Sequence, residues 1–214
     1  MRGTSNLNEF ETAEHALKYW ARADRIPHRT EGEAVLLEFL PQKVTRILDL
    51  GTGTGRLLSL LRAGRRDTEG VALDFSPTML NAARARFQGD ERVRVIEHNL
   101  DEPLPDLGRF DVVVSGLAIH HCADERKRAL YGEIHAVLSP GGLFFNLDHV
   151  TPASAGLHAR FLRARGITEA EEDPANKLAS VEVQLQWLRE SGFEDVDCHW
   201  KWLELALFGG TRKA

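Results

Sequence analysis

The chain has only two cysteines, Cys122 and Cys198, far apart and without a C-x-x-C partner. That scarcity argues against a disulfide framework or a zinc knuckle and fits a reducing, cytoplasmic setting. An excess of positive charge is missing too: 27 basic against 32 acidic residues leave a net charge of −5, without the broad basic surface that nucleic-acid affinity needs. Arg62, Arg65 and Arg66 cluster where a solvated helix end accounts for them. No apolar run approaches the roughly 18 residues needed to cross a bilayer, and MRGTSNLNEF lacks the apolar segment of a secretory signal. Membrane insertion and secretion are therefore not expected. No internal repeat or low-complexity segment is present, and 214 residues with 43% hydrophobic and 28% charged composition suit one domain with a substantial core.

What is present is organised around Ile47–Arg56, ILDLGTGTGR. Ile47, Leu48 and Leu50 read as a strand buried on both faces, and Gly51, Gly53 and Gly55 force a turn. The helical pattern RLLSLLRAGRR follows at once. Glycines let a ligand approach main-chain N–H groups that a Cβ would shield. The dinucleotide fingerprint G-x-G-x-x-G fails at its third glycine, which is Arg56, and no Gly-Lys-Ser/Thr follows for a phosphate loop. What remains is D-x-G-x-G-x-G, with Asp49 two residues before the first glycine. A turn kept only for packing is the alternative reading.

This motif resembles the first motif of the class I S-adenosylmethionine-dependent methyltransferases. The resemblance implies that Gly51, Thr52, Gly53 and Gly55 cradle the methionine part of S-adenosyl-L-methionine and that Asp49 helps hold its ammonium, with S-adenosyl-L-homocysteine as product. A second motif is in register: Val71-Ala-Leu-Asp74 ends in an acid 23 residues beyond Gly51, the distance expected of a ribose-binding carboxylate. Ser76-Pro77 then opens a helix, with Ser as N-cap and Pro at the first helical position. Phe75 and Met79 are candidates to wall the adenine. The exit of a third strand, Glu97-His98-Asn99-Leu100, stands where the family contacts the adenine edge. Ser115, ending a fourth strand, and Tyr19 and Arg29 in the N-terminal region complete the expected cofactor contacts.

The expected fold is α/β: a doubly wound, mostly parallel seven-stranded sheet with the last strand antiparallel and a helical N-terminal cap. Two helices, Glu9–Ala23 and Thr30–Leu40, make the cap in residues 1–40, and Thr30 with Glu33 has capping-box spacing. Residues 44–148 form the cofactor-binding core, 151–192 a helical insertion or connector, and 193–208 a terminal hairpin. The helix after the fourth strand is expected to end at Ser139-Pro140-Gly141-Gly142, a further resemblance to the family, and another to run from Asn176 to Ser191.

The cluster His120, His121, Cys122, Asp124 has no metal-ligand spacing; adjacent histidines on an extended segment point opposite ways, so no metal ion is expected. His120, just past the fourth strand, and Asp148, ending the fifth, are the catalytic candidates, because strand tips face the ligand crevice. Ser115-Gly-Leu-Ala lacks the (Asp/Asn/Ser)-Pro-Pro-Tyr sequence of exocyclic-amine DNA methyltransferases. The resemblance thus implies methylation of a small molecule at oxygen, nitrogen or carbon by a cytoplasmic monomer or homodimer, with no nucleic-acid or membrane partner. A tRNA or protein methyltransferase, a noncatalytic S-adenosylmethionine-binding protein and, more weakly, an NAD enzyme remain as alternatives.

Overall fold

The computed structural model describes residues 26–214. The expected first helix, Glu9–Ala23, with Tyr19, lies outside them. Within them aliphatic runs alternate with helices: α1 (Arg29–Phe39), β1 (Arg46–Leu50), α2 (Arg56–Arg62), β2 (Glu69–Asp74), α3 (Pro77–Arg86), β3 (Val93–Glu97), β4 (Phe110–Gly116), α4 (Asp124–Val137) and β5 (Leu138–His149). Then come α5 (Ala155–Arg165), α6 (Val181–Glu190), β6 (Phe193–Trp202) and β7 (Leu205–Arg212). No helix among the described residues is long and apolar enough to cross a membrane.

Seven strands form one sheet in the order β3-β2-β1-β4-β5-β7-β6. Strands β1 to β5 pair parallel, and β7 runs antiparallel to both β5 and β6. This is the expected doubly wound sheet. Only Leu203 and Glu204 separate β6 from β7, too short a link for a parallel crossover, so the last strand must turn back.

Residues that alternate along a strand enter different cores. Leu48, Leu50 and Val113 pack with Leu130, Tyr131 and Ile134 of α4 and Leu188 of α6. Ile47, Val112 and Val114 pack instead with Leu36 of α1 and Leu57, Leu58 and Leu61 of α2. Both faces are covered, which is why these strands read as unbroken aliphatic runs. A third cluster of Leu117, Phe161, Leu162 and Leu205 holds α5 against the hairpin. Strand β1 lies between β2 and β4, so chain order reverses there and the carboxyl ends open onto a crevice.

Several boundaries depart from expectation for local reasons. Helix α1 starts at Arg29 behind a left-handed His28, and no side chain caps it. Glu33 is drawn away from Thr30 by Arg29 and Arg56. Ser76 and Pro77 do open α3, yet the Ser76 hydroxyl makes no capping bond. Helix α4 ends at Val137, and Ser139–Gly142 belong to the start of β5, beside an irregularity in its pairing with β4. Before α6, the insertion is α-helical only over Ala155–Arg165, capped by Ser154 and stopped by a left-handed Gly166. Helix α6 begins at Val181 rather than Asn176, because the preceding residues are bound elsewhere: Lys177 N–H donates to the His120 carbonyl at 2.9 Å and Thr151 N–H to that of Ala179 at 3.1 Å. Strand β7 runs on past Phe208 to Arg212.

Candidate functional site

The glycine turn lies at the carboxyl end of β1, and its three glycines all have positive φ. Their surroundings differ. A Cβ on Gly51 would come within 2.2 Å of the Ala118 Cβ, and one on Gly55 within 2.4 Å of the Phe87 ring. A Cβ on Gly53 would meet nothing within 4 Å among the described residues. Gly51 and Gly55 thus let neighbouring segments approach, while Gly53 faces space left open by the described residues. The Gly53 N–H donates to Asp74 Oδ2 at 2.8 Å, and Ser76 N–H donates to Asp74 Oδ1 at 2.9 Å, so the acid ending β2 is tied to the glycine turn. Burial raises its pKa, against those backbone hydrogen bonds.

Asp49 is wholly buried at the end of β1. One oxygen accepts the Thr52 hydroxyl at 2.6 Å, and the other, Oδ1, has no partner within hydrogen-bond distance among the described residues. Removal from water pushes its pKa up from 3.8 to about 6, opposed by the Thr52 hydrogen bond. A buried carboxylate with an orphan oxygen calls for a donor, preferably a cation. Arg29, the first residue of α1, exerts a weaker favourable field on it. The Arg29 Nε–H donates to Glu33 Oε1 at 2.9 Å, and the same oxygen pairs with Arg56. Glu33 is 3% exposed, although its spacing from Thr30 in the sequence suggests only a cap.

The remaining cofactor candidates are placed as follows. Phe75 is half-buried and Met79 is buried, both beside Asp74 in sequence. The Asn99 side chain accepts Asp101 N–H at 3.0 Å within its own turn, and Leu100 joins the core. The Ser115 hydroxyl donates to the Leu50 carbonyl at 2.9 Å, a bond to the neighbouring strand rather than toward the crevice. Tyr19 lies outside the described residues.

His120 and Asp148 meet. The His120 Nδ1 lies 2.5 Å from Asp148 Oδ1, and its backbone N–H donates to Oδ2 at 3.0 Å. Asn146 Nδ2 and the His149 N–H also donate to Asp148, at 3.1 and 2.9 Å. A carboxyl taking donors on both oxygens acts as an ionised acceptor, so Nδ1 carries the proton and Nε2 keeps the lone pair. That is the arrangement of an oriented general base. His120 sits in a short 3-10 turn, Ile119–His121, and not in an extended segment, so its ring lies 4.0 Å from that of His121, centroid to centroid, contrary to the expected opposite orientation. Burial holds the His121 pKa well below its ordinary value, with the neighbouring His120 adding to the effect.

Leu117, just after β4, adopts a left-handed backbone with φ of 58°. Strain of this kind in a bulky residue gathers at functional sites. Two groups are not evident from the sequence: the Arg29–Glu33–Arg56 set, and a second histidine–carboxylate cluster of His149, His158, Glu172 and Glu204. The first had a signal in the Thr30–Glu33 spacing, read as a cap. The second had none, because its members come from four separate segments.

These residues fit S-adenosylmethionine: an orphan buried oxygen suited to an ammonium, an open glycine, and a carboxylate at the neighbouring strand tip. Comparison with known proteins agrees. Residues 47–142 match a family described as "Methyltransferase domain". The demethylmenaquinone methyltransferase of Thermus thermophilus is 42% identical over 110 residues, covering 50% of this chain and 48% of that protein. The carboxy-S-adenosyl-L-methionine synthase of Desulforapulum autotrophicum is 27% identical over 196 residues, covering 83% and 78%. In fold, an O-methyltransferase family protein from Burkholderia thailandensis superposes with a TM-score of 0.74 at 19% identity, over 96% of this chain and 62% of that one. The chain thus spans about half the length of the Thermus relative.

Proposed function

That the chain belongs to the class I S-adenosylmethionine-dependent methyltransferases is the premise from which we propose that it methylates a small molecule in the crevice at the tips of β1, β2, β4 and β5. The observation that carries this reading is the buried Asp49 Oδ1, unpartnered among the described residues, in the same motif as Gly53, whose Cβ position is open among them. Asp49 would hold the cofactor's ammonium, Gly53 would admit its backbone, and Asp74 would accept from the ribose. The cofactor, when bound, supplies a methyl group already activated on a sulfonium, so the protein's work is alignment and exclusion of water.

His120 would then take a proton from the acceptor through Nε2, while Asp148 holds the ring and balances the charge it gains. A row of packed rings leads away from His120, whose ring stands 5.8 Å from that of His149, and would favour an apolar or aromatic acceptor. The His149 ring lies 5.2 Å from Phe161, Phe161 5.8 Å from Trp202, and Trp202 4.3 Å from His28. Net charge of −5 disfavours a nucleic-acid acceptor. Both cysteines are free, in keeping with a cytoplasmic enzyme. A screen of metabolite pools for transfer of labelled methyl tests the reading. Incorporation that depends on His120 supports it, and S-adenosylhomocysteine binding without any turnover favours a binding protein instead.

A second reading draws on the length shared with the carboxy-S-adenosyl-L-methionine synthase. In it the cofactor itself is the substrate. Mass spectrometry of cofactor recovered after incubation separates the two.

A further inference from the structure

Beyond the His120–Asp148 pair, the fold gathers four groups from separate segments: His149 at the end of β5, His158 in α5, Glu172 after the turn at Glu169–Glu171, and Glu204 in the β6–β7 link. Glu204 is wholly buried, and its carboxylate's hydrogen-bond partners among the described residues are both imidazoles: His158 Nδ1 at 2.9 Å from Oε1 and His149 Nε2 at 3.0 Å from Oε2. Glu172 Oε2 lies 3.3 Å from His158 Nε2. One nitrogen of His158 and one oxygen each of Glu172 and Glu204 lie within 4.8 Å of one another. We propose that His158, Glu172 and Glu204 form a site for a divalent transition-metal ion of the zinc type, with His149 holding Glu204 in position.

The donor set and its spacing carry the inference. One imidazole and two carboxylates are ligands that Zn²⁺ accepts, and metal–ligand bonds of about 2.0–2.2 Å place tetrahedral ligand atoms roughly 3.3 Å apart. One ligand atom from each residue lies within 4.8 Å of the others, and because Glu204 and Glu172 meet different nitrogens of His158, the partly exposed His158 and Glu172 side chains must turn to close around an ion. Two carboxylates facing one imidazole also carry more negative charge than a single shared proton offsets, and a dication corrects that. His149 completes the arrangement, since its ring nitrogen bonds the Glu204 oxygen that faces away from His158, as partners of metal-bound carboxylates do.

His158 and Glu172 are 19% and 24% exposed in their side chains, which leaves an entry path. Three protein ligands leave a fourth position open. The His149 ring also stands edge-on to His120 at 5.8 Å, so the ion would brace the wall of the acceptor side, tying α5 and the 169–172 turn to the hairpin. The proposal stands apart from the methyl-transfer reading because it needs no cofactor.

The test is calorimetric titration of Zn²⁺ into chelator-treated protein without cofactor. One ion per chain is expected, with affinity reduced at least about a hundredfold in Glu172→Gln and His158→Gln and about 10–100-fold in His149→Gln. The two ligand variants alter partly exposed residues, so they fold even if the buried Glu204→Gln variant does not, and thermal unfolding recorded alongside verifies this. Failure of the parent protein to bind Zn²⁺, or equal binding by the parent and both ligand variants, overturns the site. S-Adenosylhomocysteine titrated into the same samples reports on the cofactor reading separately.

Discussion

Replacing Asp49 by Asn should make the protein without cofactor more stable and its cofactor binding worse. The carboxyl is wholly buried, and its pKa rises from 3.8 to about 6. In the folded protein it therefore keeps its proton to higher pH than in the unfolded chain. Stability is lost as pH rises through that interval and stays lost above it. The full interval corresponds to about 3 kcal/mol. Asn is neutral throughout and its oxygen still accepts the Thr52 hydroxyl, so at about pH 7.5 the variant should gain up to ~3 kcal/mol, with a smaller gain at about pH 5. Cofactor affinity moves the other way. Losing a hydrogen bond between charged groups costs roughly 1.5–3 kcal/mol, a weakening of about 10- to 100-fold. In the parent protein S-adenosylhomocysteine should bind more tightly as pH rises through about 6, and in the variant that dependence should vanish. Denaturant unfolding and calorimetry at both pH values measure the two effects. A variant no more stable than the parent at about pH 7.5, or one keeping both affinity and its pH dependence, would refute the argument.

Asp74→Ala should weaken S-adenosylhomocysteine binding about 10- to 100-fold in calorimetry. It should also lower stability by roughly 1–3 kcal/mol, because the Gly53 and Ser76 N–H groups lose their acceptor. Gly51→Ala and Gly53→Ala both incur the cost of a left-handed backbone, about 1–2 kcal/mol. Only the first also drives a methyl into Ala118, so thermal unfolding should show Gly51→Ala to be the more damaging. Gly53→Ala should chiefly lose cofactor affinity. Once an acceptor is known, His120→Ala should reduce turnover by roughly 10²–10⁴ with cofactor affinity nearly kept. Asp148→Asn should also reduce turnover, since an amide cannot hold the same imidazole tautomer, and full activity in both variants would put the acceptor elsewhere.

The sheet was legible because its strands are buried on both faces and bounded by glycines or acids, so Ile47–Leu50, Val71–Asp74 and Phe110–Ser115 stand out in the sequence without tertiary information. The short span between β6 and β7 likewise dictated their pairing. Boundaries set by long-range bonds were not legible: residues 176–180 have helical spacing but are held by the His120 and Thr151 backbones. Glu33 shows the same limit at the site. Its distance from Thr30 is that of a cap, and only the fold brings Arg56 within reach. His120 and Asp148 could be paired in advance because both end neighbouring strands. His149, His158, Glu172 and Glu204 could not, since no spacing in the sequence relates a strand end, a helix, a turn and a hairpin link.

Calorimetry of the parent protein against S-adenosylhomocysteine and NAD, in parallel, decides which cofactor the glycine turn and Asp49 receive. The orphan Asp49 oxygen and the open Gly53 predict one S-adenosylhomocysteine bound per chain and no heat from NAD. Tight binding of NAD with no response to S-adenosylhomocysteine would contradict the account.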